Sequence, residues 1–306
     1  MRTLIGRRLL YSVLVVWIIT VLVFLMLHLT GDPITLLAPP GASAELAELL
    51  RVRHGLDKPL WTQYWIFLQN VVTRGYFGES YFYNVDAIRL VLERFRATVE
   101  LAGAAMLFAI VVSFPMGVIS AVKHGTWVDH FTRFVVLLGQ AAPPFWVGIL
   151  LILLFSVRLS WFPASGRGSF EALVLPALTL GAFTAAMFTR LIRASMLDVL
   201  TEDFVRTARA KGLLATSVIF KHALRNALIP VITTMGIVFG FLLGGAIVTE
   251  TVFAWPGLGR LLIHAIHTRD FPVVQAAVFV YAVTFVVLNF TVDVLYGLID
   301  PRIKHD

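Results

Sequence analysis

From Leu9 to Leu29 the chain contains no Asp, Glu, Lys or Arg, and apolar runs of similar length recur along its 306 residues. A hydrocarbon core about 30 Å thick takes roughly 20 apolar residues per helix, so this recurrence restricts the chain to a polytopic membrane protein. Barrel strands would be about 10 residues long with alternating polarity, whereas these runs are continuous. The spans are therefore helical. Composition agrees: 58% of residues are hydrophobic and 14% charged, with a mean hydropathy of +0.85, against roughly 25% charged in a soluble domain. Soluble globular and disordered chains are both excluded. The absence of Cys removes disulfides, thiolate metal sites and Cys nucleophiles together.

The expected fold is all-α, a single transmembrane domain over 1–306 with six helices at about 9–29, 98–122, 132–157, 172–191, 228–249 and 273–299. Arg2, Arg7 and Arg8 precede the first run and no small-x-small cleavage site follows it, which reads as an uncleaved span rather than a signal peptide. An even number of spans puts both termini on one side. The tails and the connections after spans 2 and 4 hold Arg2, Arg7, Arg8, Lys123, Arg133, Arg190, Arg193, Arg206, Arg209, Lys211, Lys221, Arg225, Arg302 and Lys304, whereas the short opposite loops hold only Arg158, Arg167, Arg260 and Arg269. By the positive-inside rule both termini are cytoplasmic. The net charge of +7 is topology information and not a nucleic-acid footprint.

Residues 30–97 form the extracytoplasmic segment. Gly31, Asp32, Pro33, Pro39, Pro40 and Gly41 are turn chemistry. A helix is expected over 43–53, started by Ser43 and Glu45 with Leu46, Leu49 and Leu50 at helical spacing. A second amphipathic stretch, 60–72, puts Leu60, Tyr64, Phe67, Leu68 and Val71 on one face. The cytoplasmic loop 192–227 is long and basic. Asp198, Glu202 and Asp203 cluster at its start, Arg206, Arg209, Lys211, Lys221 and Arg225 follow, and Gly212 is a helix stop between two short helices. That charge order suits the helix dipole, as it would in a plain solvated hairpin.

No GxxxxGK[ST], HExxH or GxSxG motif is present, so the chain has no P-loop of its own and lacks two well-marked intramembrane enzyme arrangements. His264 and His267 would share a helix face, but only Asp270 accompanies them at ligand spacing. Glu100, Glu250 and Asp293 are the ionisable residues in or near spans, all near span ends. They suit interhelical ties or a gate better than a mid-bilayer proton relay. Gly236, Gly240 and Gly244 repeat every four residues, and Gly245 extends the stripe, which suits close helix packing or a pathway face. Pro115, Pro143, Pro144 and Pro176 interrupt spans, as in moving bundles.

Several segments together carry a family resemblance. They are Arg206-Thr207-Ala208-Arg209-Ala210-Lys211-Gly212-Leu213, His222-Ala223-Leu224-Arg225-Asn226-Ala227-Leu228-Ile229-Pro230, Glu250-Thr251-Val252-Phe253-Ala254-Trp255-Pro256-Gly257-Leu258-Gly259, Asp293 and Asp300-Pro301-Arg302. Gly31-Asp32-Pro33, Gly55-Leu56-Asp57-Lys58-Pro59, Pro143-Pro144-Phe145 and Pro163-Ala164-Ser165-Gly166 extend the match over essentially the whole chain. It resembles the permease subunits of binding-protein-dependent ABC importers, in the dipeptide, oligopeptide and nickel branch.

The resemblance implies a type I importer permease that performs no covalent chemistry. Its partners would be a second homologous permease, two ATPase subunits that bind the ATP and Mg, an external solute-binding protein and the lipid bilayer, with no cofactor held by this chain. Loop 192–227 resembles the loop whose short coupling helix docks on the ATPase. The site residues would be Arg206, Ala208, Arg209, Ala210, Lys211, Gly212 and Leu213, although Arg206-Thr207-Ala208 stands where the broad importer pattern has Glu-Ala-Ala. Short peptides are the expected solute, with glutathione, a nickel chelate or another small solute as the alternative. An intramembrane enzyme or a passive channel would be the reading from a different class.

Overall fold

The computed structural model describes residues 2–29, 31, 34, 43–53 and 55–299. The turn residues Asp32, Pro33, Pro39, Pro40 and Gly41 and the segment 300–302 lie outside them, as do the side chains of Arg2, Arg7, Arg8 and Asp293. Among the described residues twelve helices follow in order: α1 Arg2–Leu29, α2 Ala44–Arg53, α3 Leu60–Arg74, α4 Ala87–Val122, α5 Trp127–Ala141, α6 Pro144–Leu151 with widened turns over Ile152–Arg158, α7 Phe170–Leu200, α8 Asp203–Ala210, α9 over 215–227, α10 Ile229–Val252, α11 Leu258–His267 and α12 Phe271–Ile299. Among the described residues there is no strand, only an isolated bridge between Glu79 and Asp86. Among the described residues five helices are long and apolar enough to cross a membrane, and six spans result if the bent pair α5–α6 counts as one.

The expected span 132–157 is not a single rod. Helices α5 and α6 meet at 103°, because a proline disfavours helical geometry in the residue before it. Ala142 and Pro143 are accordingly extended, at ψ 125° and 134°. Two other helices overrun their expected ends. Helix α4 starts at Ala87 rather than 98, and α7 runs to Leu200 rather than 191, so Arg190 and Arg193 sit on a helix and not in a loop.

The chain divides into two compact units, 1–97 with 256–287 and 98–255 with 288–306. In the first, Leu27 of α1, Phe77, Ala87 and Val91, and Leu258, Ala265, Phe271, Val274 and Ala277 form one apolar core. Phe67 and Val71 of α3 pack against it, whereas Leu60 is half exposed. His28 bridges α1 to α3 through Gln63 at 3.0 Å. Asp270 is buried and accepts from the Ser80 hydroxyl and from the Tyr81 amide at 3.1 Å, which fixes the turn before α4. Burial, together with the Asp270 carboxylate, pushes the Tyr81 phenol above its ordinary range.

In the second unit α7 is the central helix, buried along Leu175, Ala177, Gly181, Ala185, Phe188, Ile192 and Met196. Its first turn is capped by the Ser169 hydroxyl, which accepts from the Ala172 amide at 3.3 Å. At Gly181 a Cβ would stand 2.6 Å from the Ala105 carbonyl oxygen of α4, and at Gly117 one would stand 2.8 Å from the Ile192 side chain. Apolar burial does not draw helices together in lipid, so such close backbone approach must supply the packing.

These distances set up a contrast between glycines. Overpacking a tight contact costs about 1–3 kcal/mol, so Gly181→Leu should lower the thermal unfolding midpoint of the detergent-solubilised protein. Gly244→Ala, where a Cβ meets nothing within 4 Å, should leave it unchanged or raise it. Equal midpoints for the two variants would contradict this packing.

Candidate functional site

The segment after α7 folds as two short helices around a glycine. Helix α8 buries Val205 and Ala208 in a cluster formed with Val118, Ala121, Ile192, Met196, Val218, Ala223, Leu224, Ala227 and Val231. Its other face is polar. Arg206, which pairs with Asp203 at 3.2 Å, and Arg209 are both exposed. Gly212 ends the helix in the left-handed region at φ 75°, with its amide bonded to the Arg209 carbonyl at 2.9 Å, a conformation that favours glycine. Arg209, Ala210, Lys211, Gly212 and Leu213 form an exposed edge.

Ala208, named with the coupling-loop residues, lies on the inner side of its helix. It is 6% exposed and faces the bundle, because i, i+3 spacing puts it over Val205. Three apolar residues of the same segment escaped the sequence reading: Phe204, Leu214 and Phe220 are 42%, 77% and 59% exposed. The signal for Leu214 was legible, since Leu213-Leu214 directly follows the helix stop in an otherwise basic loop.

A second feature was missed entirely. Asp129 of α5 is fully buried and accepts from the Ser120 hydroxyl at 2.7 Å, the Gly125 amide at 3.0 Å and both Nε and Nη2 of Arg193 at 2.7 and 2.9 Å. Arg133 approaches it to 3.7 Å and His124 to 3.4 Å. This carboxylate ties the ends of α4 and α5 to the stretch of α7 that leads into α8. Only the Asp129–Arg133 spacing on one helix face hinted at it, since Arg193 lies 64 residues away.

The remaining candidates are dispersed. Glu250 is fully buried and accepts from Thr98 at 2.6 Å, joining α10 to α4. Nearby, Glu100 pairs with Arg167, whose guanidinium lies 5.9 Å from the Trp255 ring centre, and the Gly166 amide donates to the Phe253 carbonyl at 3.1 Å. Gly236 and Gly240 are half-buried, whereas Gly244 and Gly245 are exposed with open space at the Cβ position. Asp293 keeps only its helical position, since its side chain lies outside the described residues. Among the described residues no three His, Asp or Glu side chains come together as metal ligands.

A basic, two-helix loop is thus anchored by its buried face to an all-helical apolar bundle. Residues 113–305 match the family described as the binding-protein-dependent transport system inner membrane component, and residues 1–102 match the N-terminal component of such membrane proteins. The chain belongs to this family of ABC importer permeases, which sit in the inner membrane as multi-pass subunits and leave ATP hydrolysis to a separate subunit. It is similar to the glutathione transport system permease protein GsiC of Escherichia coli (strain K12), at 46% identity over 300 residues covering 98% of each chain. The GsiC of Shigella flexneri serotype 5b is 45% identical over the same share. Among solved structures, the inward-facing MetNI methionine ABC transporter matches at TM-score 0.56 and 17% identity, covering 69% of this chain and 96% of that one. An amino acid ABC transporter matches at 0.51 and 16%, covering 70% and 94%. Both share the fold.

The burial pattern of the loop separates two substitutions. A carboxylate at Val205, fully buried, would be stranded in the apolar cluster, so Val205→Asp should detach α8 and raise proteolysis of the 200–212 segment. Leu214→Asp, on an exposed side chain, should leave both proteolysis and thermal midpoint at wild-type values. Protection of both variants alike would refute the anchoring.

Proposed function

We propose that this chain is half of the translocation pathway for small peptides, glutathione among them, handed over by an external binding protein. The identity to GsiC across 98% of both chains is the observation that carries the solute class. A second homologous permease would complete the pathway, with Gly236, Gly240, Gly244 and Gly245 on the helix face turned to that partner or to the pathway. Glu250 and Asp293 are the charges at span ends that would steady or gate it. Two ATPase subunits would hold the ATP and Mg.

Both termini and the loop 192–227 are cytoplasmic in this reading, supported by the density of basic residues on that side. The exposed edge Arg209 to Leu213, extended by Leu214, would dock on the ATPase. Because Val205 and Ala208 bind α8 to the ends of α4, α7 and α9, movement of the docked edge would pass directly into the spans. Opening the pathway requires that the nucleotide states bind the two conformations differently. The bundle itself would alternate between inward and outward access.

Since native Cys is absent, single introduced cysteines test the orientation. Ser165→Cys should react with an impermeant thiol reagent in sealed cells and Thr216→Cys should not; labelling of Thr216→Cys would overturn the cytoplasmic loop. Coupling is tested separately. Gly212→Val, at a φ that costs an L residue about 1–2 kcal/mol and a β-branched one more, and Leu214→Asp should both abolish ATP-driven uptake of radiolabelled glutathione while the permease pair still assembles. Normal uptake by both would sink the docking edge. Wild-type uptake of neither glutathione nor short peptides would sink the solute class.

A further inference from the structure

The apolar cluster that holds α8 to the bundle draws on α4, α7, α9 and α10, and among the described residues it contains none from α5. The link from α5 to this base is polar. Asp129, in the first turn of α5, is fully buried. Its Oδ1 accepts from the Ser120 hydroxyl and from Arg193 Nε, and its Oδ2 from the Gly125 amide and from Arg193 Nη2. A carboxylate has about four such acceptor sites, so the shell is complete. Nη2 also donates to His124 Nδ1 at 3.0 Å, while Arg133, exposed and 3.7 Å away, adds charge. These donors flank the α8 base, since Ser120 precedes Ala121 and Arg193 follows Ile192, both members of the apolar cluster.

A bidentate guanidinium–carboxylate pair fixes direction as well as distance, whereas apolar contact is non-directional. Replacing a buried ion pair by apolar residues of similar volume is often neutral for stability, so stability alone does not call for charges here. At its far end α5 runs into the 103° bend, where Ala142 and Pro143 are extended. Beyond the bend, Gly148 of α6 lies close to Thr179 of α7 and to Val252 and Phe253, and a Cβ there would stand 3.1 to 3.3 Å from all three. We propose that Asp129 is a positioning residue for coupling: its pair with Arg193 makes α5 travel with α7 and α8 as one body, so that displacement of the docked edge reaches α6 through the bend. The inference rests on the reading of Arg209 to Leu214 as the edge that docks on the ATPase. It adds α5 as the element that carries the movement onward and Asp129 as the residue that engages it.

The test uses the permease–ATPase complex with its binding protein in proteoliposomes. Because the permease has no native Cys, spin labels are attached before assembly at His130→Cys on α5 and Asp198→Cys on α7, both exposed positions. The distance between the labels should be the same in nucleotide-free and ATP-bound complexes. Asp129→Leu combined with Arg193→Met, which removes both charges and strands neither, should keep the thermal midpoint but make that distance differ between the two states. Uptake per ATP hydrolysed should then fall at least about tenfold. Arg193→Lys, which keeps the charge and loses the fork, should fall in between, and it decides the ratio by itself if the double variant does not fold. A nucleotide-dependent distance in the wild type overturns the proposal. So does a wild-type uptake ratio in the double variant, whether or not its midpoint falls, because the pair would then serve the fold alone. Failure of the docking-edge reading shows separately, as normal uptake by Gly212→Val and Leu214→Asp.

Discussion

The second unit is organised around the contact in which α7 comes within side-chain-free distance of α4. With the Ala105 carbonyl 2.6 Å from where a Gly181 Cβ would be, no other residue fits there without moving a helix. The neighbours use the same device: a Cβ at Gly139 of α5 would stand 3.1 Å from Ala186 of α7, and one at Gly148 of α6 would stand 3.2 Å from Thr179. Three helices therefore pack on α7 through small residues. This is the expected solution where lipid provides no hydrophobic drive and van der Waals contact must hold the bundle.

At one end of that bundle the packing turns polar. Asp129 is removed from solvent and surrounded by Ser120, Gly125 and Arg193. Breaking a buried pair by removing one partner costs about 3–5 kcal/mol, so the loop between α4 and α5 is held firmly to α7. The apolar cluster around Val205 and Ala208 then extends the rigid base into α8. What stays exposed is the edge from Arg209 to Leu214. A stiff base under an exposed basic and apolar edge suits the proposed transfer of movement from an ATPase to the spans.

Acidic residues elsewhere serve as ties between segments distant in sequence. Glu250 reaches Thr98 across 152 positions and Asp270 reaches Ser80 across 190. Each is buried and accepts a hydroxyl hydrogen bond from the distant segment. The cavity beside the start of α11 mixes the basic side chains of Arg94, Arg260 and His264 with Tyr83, Pro256, Gly257 and Leu261.

The sequence alone determined that the chain is an all-helical membrane protein, because an uncharged run such as Leu9 to Leu29 has only one economical way to satisfy its backbone in lipid. It also determined the turn at Gly212, a local backbone restriction, whereas of the four prolines expected to interrupt spans Pro143 and Pro144 break one and Pro115 and Pro176 lie within continuous helices. The motifs after Arg206 and Glu250 were enough to mark the family. Only the tertiary structure decided which glycines matter: the visible stripe ends in open space at Gly244, while Gly117 and Gly181, isolated in the sequence, make the tight contacts. It likewise turned Ala208 inward, paired Asp129 with Arg193, and gathered Arg94, Arg260 and His264 around one cavity. The physical reason is the same in each case. Local rules fix the helix and its stop, but burial and charge pairing depend on what a distant segment brings to the other side.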